Sequence, residues 1–167
     1  RSARYAEWKK LIQEDEVLFL AHHQDDQAET VMLQLLRGAG VKGLAAMPLQ
    51  QNFSKGILCR PLLGFLRAEL VAYAIDQKLN WIDDPSNFDT DFDRNLLRHE
   101  VIPLLETRWP SLKKTLSRTA FHTAEADQLL SERAEQDWQK IKSNQQIIIT
   151  ELLVLDKKRQ RNVVRYW

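Results

Sequence analysis

Val17-Leu18-Phe19-Leu20-Ala21 runs directly into His22-His23-Gln24-Asp25-Asp26-Gln27-Ala28-Glu29-Thr30, and this junction decides the fold. The first five residues are all apolar. A run of that length and composition predicts a short strand buried on both faces of a parallel sheet. The character then changes at once, with two histidines, two aspartates and a glutamate between positions 22 and 29. Helical periodicity over 27–37 follows, and Gly38-Ala39-Gly40 breaks it as glycines past a helix end do. A polar string at a strand-to-helix junction lies where open α/β sheets bind ligands, in the crevice beyond the strands' carboxyl ends. Asp26 and Glu29 are three apart and share a helical face. Two carboxylates converging there could hold a metal ion or an ammonium group. Asp25 and Asp26 also fall where the helix dipole favours negative charge. For Asp25, simple capping is an equally good account.

The same strand–helix alternation extends on both sides. Tyr5, Trp8, Leu11 and Ile12 recur at helical spacing and predict a helix over 3–13. Downstream, 42–47 predicts a short helix, 50–56 a loop, and 57–63 a second strand that Pro61 should end early. A helix is expected over 67–78, with Leu70, Val71, Ala74 and Ile75 on its apolar face. The Asp-, Ser-, Asn- and Pro-rich stretch 83–93 reads as a loop. From Asp93 the pattern turns helical, with Pro103 set to kink or split it. Trp109-Pro110-Ser111 marks a new helix start, and that helix should run past Gln139. A strand over 145–150 and a helix over 152–167 complete the reading. The whole is α/β: a parallel sheet followed by a mainly helical segment, with a boundary between residues 100 and 110.

Composition excludes several classes. The chain has 167 residues, 44% apolar and 28% charged, which suits an ordinary globular domain with a real core. No apolar run is long enough to span a bilayer, and no secretory signal opens the chain. The first residue is Arg1 rather than Met, so the chain is expected to be processed or a piece of something longer. Cys59 is the only cysteine, which points to a reducing cytoplasm, and no Cys or His grouping has zinc spacing. A net charge of +1 does not by itself announce a nucleic-acid partner. Near the end, however, Lys157, Lys158, Arg159, Arg161 and Arg165 form a basic run. It reads either as a solvated helix face or as a phosphate-contacting patch.

A second chemical string starts at Asp84-Pro85-Ser86-Asn87-Phe88-Asp89 and continues to Arg94-Asn95-Leu96-Leu97-Arg98. Arg94 and Arg98 are four apart on one helical face and repel unless an anion neutralises them. Phosphate is one candidate, because guanidinium binds it in a two-pronged way. Salt bridges to nearby aspartates are the competing explanation. The glycine-rich Gly38-Ala39-Gly40-Val41-Lys42-Gly43 could bring backbone N–H groups to an anion, or could simply end a helix.

Taken in order, these strings resemble the bacterial tRNA(Ile)-lysidine synthases. The matching elements are H-x-x-D-D-x-x-E-T at 22–30, R-G-x-G-x-x-G-L-x-x-M at 37–47 and Arg60-Pro61-Leu62-Leu63. D-x-S-N-x-D…R-N-x-x-R over 84–98 and Pro103-Leu104-Leu105 also match. The resemblance implies an N-type ATP pyrophosphatase with a Rossmann-like core. In that family ATP adenylates C2 of an anticodon cytidine, and the amine of free lysine then displaces AMP. It implies catalytic roles for Asp26, Glu29, Arg94 and Arg98. A lysine or adenylate site would draw on His22, Asp25, Asp26, Glu29 and Asn87, with RNA contacts at Lys157, Lys158, Arg159 and Arg161. ATP and Mg²⁺ are the implied cofactors. A tRNA(Ile) with a CAU anticodon and free L-lysine are the implied partners, with no membrane and a possible homodimer. The family's S-G-G-x-D-S loop has no counterpart here. The sheet is therefore expected to be incomplete, with 1–105 the later part of the catalytic domain and 106–167 a helical lead into a substrate-binding domain. Such a chain is expected to be inactive alone. A related tRNA-thiolating enzyme is disfavoured by the lone cysteine. A non-catalytic RNA-binding module would rest on Trp109, Trp138, Tyr166 and Trp167.

Overall fold

The computed structural model describes residues 2–82 and 89–167. Its sheet is built on β1 (Val17–Phe19), which pairs in parallel with β3 (Gly56–Cys59), and β3 pairs antiparallel with β2 (Gln50–Phe53). The strand order is β1-β3-β2. Helix α1 (Ser2–Leu11) covers one side of this sheet. Ile12, Phe53 and Leu58 form the core there, and Tyr5, Trp8, Leu18 and Leu20 pack against them. Gly56 is demanded by close approach: a Cβ at that position would collide with the Glu16 carbonyl oxygen and the Ile12 side chain.

Two expectations about the sheet are corrected. Residues 50–56 are not a loop but β2, the turn and the start of β3, closed at Ser54-Lys55 with Ser54 at φ +55°. The polar string Gln50-Gln51-Asn52 hid a strand because it lies at an edge, where side chains meet water. The strand at 17–21 is also shorter than expected and not fully buried. Val17 is 43% and Phe19 65% exposed, because strand side chains alternate and these two point away from the face that Leu18 and Leu20 pack into the core under α1. The strand at 57–63 ends before Pro61, as its missing N–H requires.

Helix α2 (Gln24–Leu36) starts three residues before the expected 27 and swallows the acidic string. It stops where Gly38 adopts φ +68°, the left-handed conformation that glycine takes without strain. Helix α3 (Val41–Leu44) follows, and α4 (Arg67–Asp76) is the expected amphipathic helix, except that Ile75 is 62% exposed. Next come α5 (Asp93–Leu96), a π-helical turn (Leu97–Val101) and α6 (Ile102–Arg108). The split falls where Pro103 dictates. Proline has no N–H to donate and its ring crowds the carbonyl four residues back, so the preceding turn widens.

Helix α7 (Leu112–Ile141) is the 30-residue spine and packs along α2, α3 and α9. The expected strand at 145–150 is only β5 (Gln146–Ile147), paired with β4 (Lys142–Ser143). The expected helix at 152–167 is two helices, α8 (Ile149–Val154) and α9 (Lys157–Tyr166). The break has a local cause: the Asp156 carboxylate accepts the amide N–H groups of Lys158 and Arg159 and starts a new helix. Trp138, Ile141 and Val163 form a second core here. Among the described residues, no helix is long and apolar enough to cross a membrane.

Candidate active site

The two chemical strings are distant in sequence but meet in space. Asp26 and Glu29 project from the first turns of α2, and Arg94 and Arg98 reach them from α5 and the π-helical turn. Arg94 donates through Nε to Glu29 Oε2 at 2.6 Å and through Nη2 to Asp26 Oδ1 at 3.0 Å. Arg98 donates through Nε to Glu29 Oε1 at 2.6 Å. Its Nη2 reaches Glu29 Oε2 at 3.0 Å and Asp26 Oδ1 at 3.2 Å. Two anions thus meet two cations. The Glu29 side chain is 1% exposed, whereas the arginines keep 30% and 28% of their surface. A buried carboxylate is far less costly when it is paired and hydrogen-bonded in this way. The Glu29 hydrogen bond raises the pKa of Arg98 still further above its ordinary value, against the effect of burial.

Local structure fixes the acids. His23 is the N-cap of α2, with its Nδ1 accepting the Asp26 amide N–H at 3.3 Å. In return Asp26 Oδ2 accepts the His23 amide at 3.0 Å. This reciprocal cap satisfies two otherwise orphaned donors and aims Asp26 at the arginines. His23 thus orients Asp26, a part that sequence reasoning passed over. Its position three residues before an acid was the available signal.

Asp25 does not cap its own helix and does not join the arginine cluster. Its Oδ2 accepts the Arg67 amide at the start of α4 at 2.9 Å, and its Oδ1 pairs with Lys113 of α7 at 2.9 Å. Burial pushes the Asp25 pKa up, but the Arg67 amide and Lys113 outweigh it and hold the carboxyl below its ordinary value. Lys113 also meets Glu106 at 3.2 Å. Burial works against its charge, yet its two acidic partners raise its pKa. Lys113 was not anticipated, because no string marks a contact made across so many residues.

The other expected site residues are dispersed. His22 is half-buried in the link between β1 and α2. Asn87 lies outside the described residues. Lys157, Lys158 and Arg161 are exposed on α9. Arg159 is not free for RNA: Nε donates to Asp137 Oδ2 at 2.9 Å, and Nη2 donates to Oδ1. Asp137 is fully buried, and the Arg159 hydrogen bond holds its pKa below the ordinary range. Of the aromatics, Trp138 is core, while Trp109 and Trp167 are exposed. Among the described residues, no three His, Cys, Asp or Glu side chains converge as a metal site.

The charged cluster lies beyond a strand's carboxyl end, where open α/β sheets bind their ligands. A PP-loop domain model matches residues 1–105, well over half of the chain, and the chain belongs to that family. The whole chain is 50% identical to a tRNA(Ile)-lysidine synthase of Coxiella burnetii, of which it covers 37%. It is 48% identical to one of Pseudomonas syringae pv. tomato over its full length, covering 39% of that protein. It is also 48% identical to one of Nitrosomonas europaea over 99% of the chain, covering 36% of that protein. The chain thus spans well under half the length of these relatives.

Proposed function

We propose that these residues belong to a tRNA(Ile)-lysidine synthase. In this reading ATP adenylates C2 of the wobble cytidine in a CAU anticodon and pyrophosphate leaves. The amine of free lysine then attacks C2 and displaces AMP. The observation that carries the reading is the Arg94–Arg98 pair, anchored by Asp26 and Glu29 beyond the end of β1. The similarity to the named relatives supports it.

The geometry suggests a division of labour. Glu29 has both oxygens engaged and no accessible surface to offer a ligand, so it is a positioning residue. It holds two guanidinium groups whose outer edges remain open. Those edges suit the charge that builds on a transferring adenylate. Pre-pairing fixes the arginines before the reaction, so little reorganisation is needed when charge develops. Asp26 also has both oxygens engaged, but its side chain keeps 12% of its surface, and in this reading it is the acid that receives lysine's ammonium or its proton. The attacking amine must be neutral, and a carboxylate beside it can take that proton. His22, Asp25 and Asn87 complete the proposed lysine or adenylate set. Asp25 acts through its ties to α4 and α7.

Mg²⁺ would travel with the ATP phosphates. The described carboxylates near the cluster are already paired with arginine or lysine and do not make a magnesium ligand set, so no step is assigned to the ion. Lys157, Lys158 and Arg161 are proposed to contact RNA phosphates, and Arg159 is assigned instead to the fold. Residues 106–167 are proposed to lead into a substrate-binding domain, and the enzyme to work in the cytoplasm.

The test uses a polypeptide extended to the relatives' length and carrying these residues. It is mixed with tRNA(Ile) bearing CAU, ATP, Mg²⁺ and radiolabelled lysine. Label on the RNA that disappears in Asp26→Ala and in Arg98→Gln supports the reading. A folded protein that transfers no label overturns it.

A further inference from the structure

Arg60 follows directly after β3 and takes no part in the site described above. It is only 4% exposed. Nη1 donates to the Pro48 carbonyl at 2.7 Å, and Nε is sealed from solvent with no acceptor. No carboxylate among the described residues pairs with it. This sets it apart from Arg94, Arg98 and Arg159, each of which meets an acid. A staple to Pro48 explains one N–H, but a neutral amide could do that as well. It leaves a buried positive charge uncompensated, and such a charge is costly unless an anion accompanies it.

Arg60 also lines a cavity of about 460 Å³ whose walls include Tyr5, Thr30, Gln34 and Gln51. The lining is mostly polar, and the amides of Gln34 and Gln51 can supply further N–H donors. Gln51 lies on the same face of the hairpin as Arg60. Leu49 stands opposite Arg60, through the Arg60 N–H to Leu49 carbonyl bond of 2.8 Å, and Gln51 is two residues further along that strand.

We infer that this cavity is an oxyanion site, with the Arg60 guanidinium as its charged wall and the phosphoryl or carboxylate group of a small ligand as its occupant. Guanidinium matches both groups. The inference is independent of the proposed ligation, because none of its residues contacts the Arg94–Arg98 cluster through a charged group.

The experiment is a thermal-unfolding series on the 167-residue chain at constant ionic strength, with chloride replaced in turn by inorganic phosphate and by acetate. A bound anion should raise Tm by about 2–4 °C at saturating concentration. A rise with phosphate alone assigns the site to phosphoryl groups, and a rise with acetate alone assigns it to carboxylates. The rise should vanish in Arg60→Gln. Should that variant fail to fold, Gln51→Glu carries the test. It sets a carboxylate beside Arg60, so it should raise Tm in chloride and abolish the response to added anion. No rise in the wild-type chain overturns the inference. So does a rise that persists in Gln51→Glu.

Discussion

Two buried acid–arginine sites stand at opposite ends of α7. In the α/β half, two carboxylates meet two guanidinium groups whose outer edges stay open. In the helical half, Asp137 is enclosed and held by Arg159, with Arg133 at 3.6 Å. Both satisfy the same rule, that buried charge must be paired. The arginines keep nearly equal surface in the two sites, 28–31% for Arg94, Arg98 and Arg159. They differ in what is joined and where: the second site ties α9 to α7 through one carboxylate, whereas the first gathers two carboxylates and two guanidinium groups beyond the carboxyl end of β1. Position at the end of a strand, rather than burial or exposure, separates the candidate active site from a structural bolt.

The sharpest way to break the comparison is to remove each acid. Glu29→Ala removes the acid that takes the Nε groups of both arginines, leaves them only Asp26, and should cost about 3–5 kcal/mol in urea unfolding. In the extended enzyme it should also abolish lysine transfer. Asp137→Ala deprives one closely hydrogen-bonded arginine, rather than two, of its acid and should cost less, about 2–3 kcal/mol, with no direct effect on chemistry. Equal losses, or lost transfer from Asp137→Ala in a fully folded protein, would erase the distinction.

Acid titration sharpens it further. The Asp137 pKa is lowered on folding, chiefly by the Arg159 hydrogen bond. Its stabilisation is therefore complete above the unfolded carboxylate pKa of about 3.9 and is lost as pH falls through the lower folded value. The gap in unfolding midpoint between the wild type and Asp137→Asn should be wide at pH ~7 and narrow below pH ~3. A constant gap would show that the hydrogen-bond geometry matters and the charge does not. Asp25 is lowered in the same direction and should behave likewise. A double-mutant cycle between Asp25 and Lys113 should give a coupling of about 0.5–1 kcal/mol, since the pair lies near the surface.

The smallest effect on stability is expected on α9. Lys158→Glu and Arg161→Glu should change it by less than ~0.5 kcal/mol. Both should weaken RNA binding and lower its salt slope by about one per lost phosphate contact. Arg159→Gln should do the reverse, destabilising the fold and leaving the salt slope nearly unchanged.

Much of the fold was legible. The all-apolar 17–19, the glycine at 38 and the prolines at 61 and 103 placed a strand, a helix end, a strand end and a helix split. Apolar periodicity also announced α1, α4 and α7. The misses in the sheet share one cause. Gln50–Phe53 reads as a loop because an edge strand needs no apolar alternation, and Phe19 reads as buried because only the neighbours in a sheet decide burial. At the site, both strings were visible, but their partnership was not. Arg94 and Arg98 called for either a phosphate or salt bridges to nearby aspartates, and their anions are instead Asp26 and Glu29, far off in sequence.

The sequence by itself determined which segments are strands and helices at their strongest, which residues carry charge, and that two polar strings bear the chemistry. These are local properties, set by periodicity, backbone restriction and side-chain type. Tertiary structure alone decided that the two strings form one cluster, that Asp25 serves α4 and α7, that Arg159 is a bolt, and that Arg60 is buried without an acid among the described residues. Each of those depends on distance and solvent access between residues far apart in the chain, and Coulomb energy and desolvation act on those distances rather than on sequence separation.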